Sequence, residues 1–241
     1  MPDARPLVCL VAGAPLPEVT ASRGFYPQII RRAAGEEAAA AWLDVDLRDG
    51  SPLPDPARVG AVVITGSSSS VTERAPWMLR AEGYLREIVA AHVPTFGICF
   101  GHQMLGQALG GEVIKNPRGR EIGTVDLEIL ADDPIFEGPA RAGARSLANA
   151  THVDTVGTLP RGARVLARTA LEPNAAVRFD ETTWGVQFHP EMDAAVARTY
   201  LEVRRKLLEA EHIDADALLA KTDDAEVGRA TLVRFLELAR R

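Results

Sequence analysis

The sequence predicts an α/β fold of three layers, with a mostly parallel central sheet and helices on both faces. Three observations predict it. Short apolar runs rich in Val and Ile alternate with stretches of helical spacing through the first half of the chain, the pattern of successive strand–helix–strand units. Gly66, Cys99 and His189 each fall just past a strand end, where open parallel sheets carry their ligand chemistry. The second half then brings several strands together with few helices between them.

Residues 7–12, 41–46, 59–64 and 93–98 read as strands. Helical stretches over 27–35 and 77–91 lie among them. A further helix follows over 100–109, with Met104, Leu105, Ala108 and Leu109 at helical spacing. Residues 124–130, 163–169, 175–179 and 183–188 read as an antiparallel stretch joining the sheet edge. Residues 193–210 and 225–240 read as helices whose apolar faces hold Leu201, Leu208, Leu232, Phe235 and Leu236. The chain thus divides into a domain over 1–192 and a C-terminal helical extension over 193–241. Turn and cap sites stand at residues 212–216 and 221–224. The extension is expected to pack on the domain; a surface for a homodimer or another partner is the alternative.

Composition sets limits. The 241 residues are 46% hydrophobic and 25% charged, ordinary for a soluble globular protein, and 27 Lys and Arg against 33 Asp and Glu give a net charge of −6. There is no basic block, so nucleic acid is not an expected partner. No apolar run reaches membrane-spanning length, and the N-terminus runs into the first strand without a signal peptide. Two cysteines argue against a disulfide scaffold and for a reducing, cytoplasmic setting. No His/Cys cluster has metal-ligand spacing, and the Gly-rich segments match neither phosphate-binding nor dinucleotide patterns. Neither a metal nor a cofactor is expected.

The chemistry concentrates in two segments. In Gly97-Ile98-Cys99-Phe100-Gly101-His102-Gln103 a cysteine sits between a strand end and a helix start, flanked by glycines that permit a sharp turn and close packing. The helix N-terminus favours thiolate over thiol, and the Phe100 N–H points where an oxyanion would form. In Gly185-Val186-Gln187-Phe188-His189-Pro190-Glu191 a histidine and a carboxylate stand two apart at a strand end, on the same side of extended backbone. Together these supply a nucleophile, a base and a group to orient the base. Taken singly, each has a plainer reading: a buried small hydrophobe for Cys99, a surface pair for His189 and Glu191. Cys9, in an apolar strand without a glycine frame, is expected to be core.

These motifs resemble the class I glutamine amidotransferase domain of the triad type. The resemblance also takes in Leu-Gly-Gln-Ala-Leu-Gly-Gly at 105–111, Gly-Arg-Glu-Ile-Gly at 119–123 and Thr-His-Val-Asp at 151–154, in the family's order across roughly residues 7 to 192. The nearest subgroup is free-standing proteins similar to the glutaminase half of GMP synthase. The resemblance implies a flavodoxin-like fold and a reaction in which Cys99 attacks the carboxamide of a γ-glutamyl substrate. His189 acts as base and then acid, and Glu191 orients it. The N–H groups of Ser67 and Phe100 hold the oxyanion. Gly66, Gln103 and His152 border the substrate, with His152 on a loop. Where the family has Gly-Gly-Pro, this chain has Gly66 followed by Ser67-Ser68-Ser69-Ser70, and a serine at a positive-φ position would be strained. A similar Thr-Gly-Ser-Ser segment fits plant-type γ-glutamyl peptidases of the same superfamily.

Three functions follow as expectations. The first is hydrolysis of glutamine through a γ-glutamyl thioester, with the ammonia either taken up by a separate synthetase or acceptor protein or released by a stand-alone hydrolase. The second is cleavage of γ-glutamyl peptides by the same triad. The third is a non-catalytic regulatory protein on this fold.

Overall fold

The computed structural model describes residues 5–35 and 42–241. Its strands in chain order are β1 (Leu7–Val11), β2 (Trp42–Asp46), β3 (Ala61–Ile64), β4 (Thr95–Ile98), β5 (Glu112–Lys115), β6 (Glu121–Ile129), β7 (Arg145–His152), β8 (Asp154–Thr158), β9 (Arg164–Arg168), β10 (Ala176–Asp180) and β11 (Thr183–Val186). The helices are α1 (Pro17–Arg23), α2 (Tyr26–Ala33), α3 (Pro76–Ala90), α4 (Phe100–Ala108), α5 (Ala194–Val203), α6 (Arg205–Ala210), α7 (Ala215–Ala220) and α8 (Glu226–Ala239).

Nine of these strands form one sheet in the order β2-β1-β3-β4-β11-β10-β9-β6-β7, while β5 and β8 pair separately. The run from β2 to β11 is parallel. Beyond β11 every pairing is antiparallel.

The parallel strands are short and apolar because both of their faces are covered. Side chains alternate across the sheet. Val8, Leu10, Val62 and Ile64 meet Met78, Leu85 and Ile88 of α3 and Met104 and Leu105 of α4. Cys9, Val63, Phe96 and Val186 face the other way, toward Ile30 of α2 and Leu232, Phe235 and Leu236 of α8. Phe235 stacks on Phe96 with ring centroids 5.2 Å apart and meets the edge of Trp184. Cys9 lies fully buried in this layer, and burial pushes its thiol well up. Among the described residues no helix is long and apolar enough to cross a membrane.

The sequence reading differs from the structure in places that have physical causes. Residues 183–188 were expected at an antiparallel edge, but β11 lies inside the sheet, antiparallel to β10 on one side and parallel to β4 on the other. Strands β5, β7 and β8 were not anticipated. In β7 the buried positions are small or polar, Ala148, Asn149, Ala150, Thr151 and His152, so the strand has no apolar alternation to read. The helix expected over 193–210 breaks at Arg204 into α5 and α6. Ala41, placed at the start of the second strand, lies outside the described residues.

Phe235 provides a test of how far the last helix belongs to the core. Phe235→Ala is expected to lower unfolding stability by about 3–5 kcal/mol, read by urea denaturation. A loss under about 1 kcal/mol would mean that α8 is peripheral.

Candidate active site

β4 ends at Ile98 and α4 begins at Phe100, so Cys99 occupies the turn alone, with φ 51° and ψ −102°. Positive φ strains a residue with a Cβ, and the surroundings hold it there. The Cys99 N–H donates to the Val186 carbonyl at 2.8 Å, and its carbonyl accepts from the Gln103 N–H at 3.0 Å. A Cβ on Gly97 would lie 2.6 Å from the Gly101 carbonyl group, and one on Gly101 would lie 2.5 Å from the Ile64 carbonyl oxygen. Only glycine at both positions lets α4 start against β4 and rest on β3.

The base arrives from the neighbouring strand. Three residues past the end of β11, the His189 N–H donates to the Asn149 carbonyl on β7 at 2.7 Å. Its Nδ1 meets Glu191 Oε1 at 2.7 Å, with both side chains buried. The carboxylate accepts, so Nδ1 carries the proton and Nε2 is the nitrogen that can exchange one. Nε2 has no hydrogen-bond partner among the described residues. Asn149 fixes this turn from both sides, since its Nδ2 donates to the carbonyls of Met192 at 3.0 Å and Asp223 at 3.1 Å.

Charge at the sulfur follows from these neighbours. Burial raises the Cys99 thiol, but the imidazoles of His189 and, secondarily, His152 outweigh it and hold the thiol below its ordinary value. Burial likewise opposes a charged His189, yet Glu191 and the sulfur raise it well above the ordinary histidine range. The two groups stabilise each other as thiolate and imidazolium. Gln187 Nε2 adds a donor 3.5 Å from the sulfur.

His152 forms a second pair. It stands directly opposite Glu121 in the β6–β7 ladder. Its Nε2 lies 3.1 Å from Glu121 Oε2 and its Nδ1 3.0 Å from the Asp154 carbonyl oxygen. An acceptor at each nitrogen favours the charged ring. Burial works against that charge, and Glu121 overcomes it. Glu172, fully buried, lies 3.9 Å from Nδ1. The segment expected as a loop is therefore the end of β7, and the imidazole is turned inward.

The other expected residues divide. Ser67 and His189 line a cavity of about 170 Å³ together with Ser68, Tyr26, Thr151 and Arg204. Gly66 lies against His189, where a Cβ would come 3.1 Å from Cε1. Residues 67–70 all keep φ negative, so serine brings no strain to this loop. The Ser67 N–H has no acceptor among the described residues, and Phe100, first in α4, has no intrahelical one. Gln103 does not face the cavity: its Nε2 donates to the Asp154 carbonyl at 2.9 Å and to Gln187 Oε1 at 3.0 Å, supporting the amide that reaches the sulfur. His102, behind the turn, is fully buried, and burial pushes its pKa down to about 3.

Asn149, Gln187 and Arg204 were missed from sequence. A polar residue inside an otherwise apolar stretch was the available signal for Gln187, whereas Asn149 sits among small and polar residues that give none. For Arg204 there was none, because it lies beyond every recognised motif.

The site thus places a strained cysteine on a central strand–helix turn of the parallel sheet, with an imidazole–carboxylate pair just past the end of the adjacent strand. The family model "Glutamine amidotransferase class-I" matches residues 43–205, and the chain belongs to that family. It is 26% identical over 219 residues to a glutamine amidotransferase-like protein of Schizosaccharomyces pombe, covering 83% of this chain and 84% of that one. It is 37% identical over 135 residues to the glutamine-hydrolysing GMP synthase of Clostridium novyi, covering 55% of this chain but 24% of the synthase. The chain thus spans about a quarter of that relative's length. The fold is that of a crystal structure of a glutamine amidotransferase from Methylobacillus flagellatus, at TM-score 0.75 and 21% identity over 98% of this chain and 95% of that one.

Because the Cys99 thiol is held below its ordinary value, its alkylation by iodoacetamide should have its rate–pH midpoint below about 8.5, where an ordinary thiol ionises. His189→Ala removes the cation but leaves the burial, so the midpoint of the rate–pH curve should move up. An unmoved midpoint would mean that His189 does not stabilise the thiolate.

Proposed function

We propose that the protein hydrolyses the γ-carboxamide of glutamine through a γ-glutamyl thioester. The observation that carries this reading is the buried Nδ1 contact of His189 with Glu191 at 2.7 Å, which leaves Nε2 for the reacting atoms beside a low-pKa thiol. The Cys99 thiolate adds to the amide carbon, and the N–H groups of Phe100 and Ser67 receive the oxyanion. His189 gives its Nε2 proton to the departing nitrogen, so ammonia leaves and the thioester remains. The neutral imidazole then takes a proton from water, hydroxide adds to the thioester, and collapse expels the thiolate with glutamate as product. The ammonia passes to a separate acceptor. Similarity to part of a glutamine-hydrolysing GMP synthase supports the first half of this scheme.

A second reading is hydrolysis of γ-glutamyl peptides, in which an amine-bearing group replaces ammonia. It is favoured by the cavity beside His189, which offers space and a cation that ammonia does not need.

Ammonia and glutamate should appear from glutamine with wild-type protein and vanish with Cys99→Ala. His189→Ala should lose about 10³-fold, and Glu191→Gln less, since it disturbs orientation rather than proton transfer. Turnover that survives Cys99→Ala would overturn the mechanism. Cysteine-dependent cleavage of γ-glutamyl peptides without ammonia would select the second reading.

A further inference from the structure

Arg204 lies between α5 and α6, where the helix breaks. It is half-buried and lines the cavity that holds His189. Its Nη1 donates to Thr151 Oγ1 at 2.6 Å, and its guanidinium lies over the Tyr200 ring, 5.2 Å from the centroid. Nearby arginines are neutralised: Arg120 meets Glu211 at 2.7 Å and Arg205 meets Asp216 at 2.8 Å. Arg204 has no such carboxylate among the described residues. A partly buried cation without a counter-ion is costly, and a guanidinium with one donor engaged keeps a fork free for a planar anion. Thr151 links it to the chemistry, because the carbonyl of the same residue lies 3.9 Å from Cys99 Sγ.

We infer that Arg204 binds a carboxylate of the γ-glutamyl substrate, supplying the counter-ion its site lacks. This rests on the γ-glutamyl reading above and deepens it. The carboxylate has two sources of identical chemistry: the α-carboxylate of the glutamyl unit, or that of an amino acid in the leaving group. Tyr200 and Thr151 hold the guanidinium in place for either.

The test compares wild type, Arg204→Met and Arg204→Lys on glutamine, γ-glutamylglycine and γ-glutamyl methylamide. Arg204→Met is expected to raise KM about tenfold or more with kcat within about threefold, and Arg204→Lys to lie between. A rise on all three substrates assigns the α-carboxylate; a rise on γ-glutamylglycine alone assigns the leaving-group carboxylate. An unchanged KM, or a loss confined to kcat, overturns the proposal and leaves Arg204 as a strut to Thr151. Calorimetric binding of glutamine and γ-glutamylglycine to Cys99→Ser, with and without Arg204→Met, reads the same contact without turnover. Binding that weakens with Arg204→Met supports the proposal even if no substrate is hydrolysed, which separates its failure from that of the catalytic reading. Binding that is absent, or equal in both proteins, overturns it.

Discussion

The parallel pairing of β4 with β11 runs from Thr95 opposite Thr183 to Ile98 opposite Val186, and one more bond, from the Cys99 N–H to the Val186 carbonyl, carries it past the strand ends. The two chains then part. One turns at once into α4, and the other continues three residues to His189. The separation of sulfur and imidazole is therefore set by backbone pairing in the middle of the sheet, not by loops that could drift. The glycines at 97 and 101 serve this pairing, since any larger residue would push α4 off the strands it caps.

Burial is the opposing force at this centre. It disfavours the thiolate and both imidazolium ions, and a partner of opposite sign works against it at each: Glu191 for His189, Glu121 for His152, and the two rings for the sulfur. The groups form a coupled set, so altering one changes the charge of the others. Asn149 matters in the same way without being charged. It joins the backbone of His189, the Met192 carbonyl and the Asp223 carbonyl, linking the end of β11 to the C-terminal helices.

Much of this was legible in the sequence. The parallel strands, the elbow at Cys99 and the proximity of His189 to Glu191 follow from local rules: apolar runs, glycine spacing and the two-residue period of extended chain. The pairing of Glu121 with His152 was not legible as a contact, although both residues lie in recognised motifs. It depends on the register of β6 against β7, between residues whose numbers differ by 31. Gln103 shows the reverse case. The motif places it near the substrate, whereas the fold turns its amide inward to Gln187, a choice made by packing. Arg204 required knowing where α5 breaks and what lies opposite.

The loop at residues 67–70 is held by hydroxyls rather than by glycine. The Ser69 N–H donates to Ser67 Oγ at 3.1 Å, the Thr72 N–H to Ser70 Oγ at 3.2 Å, and Ser70 Oγ reaches Asp154 on β8. With no left-handed residue in the loop, no position is reserved by backbone conformation. Its side chains are therefore open to mutational drift. Threonine, asparagine or aspartate could take over individual bonds while the chain path stays the same. The shape of this part of the cavity rim therefore rests on side-chain hydroxyls, so a single substitution at Ser67 or Ser70 would alter the rim without asking the backbone to change conformation.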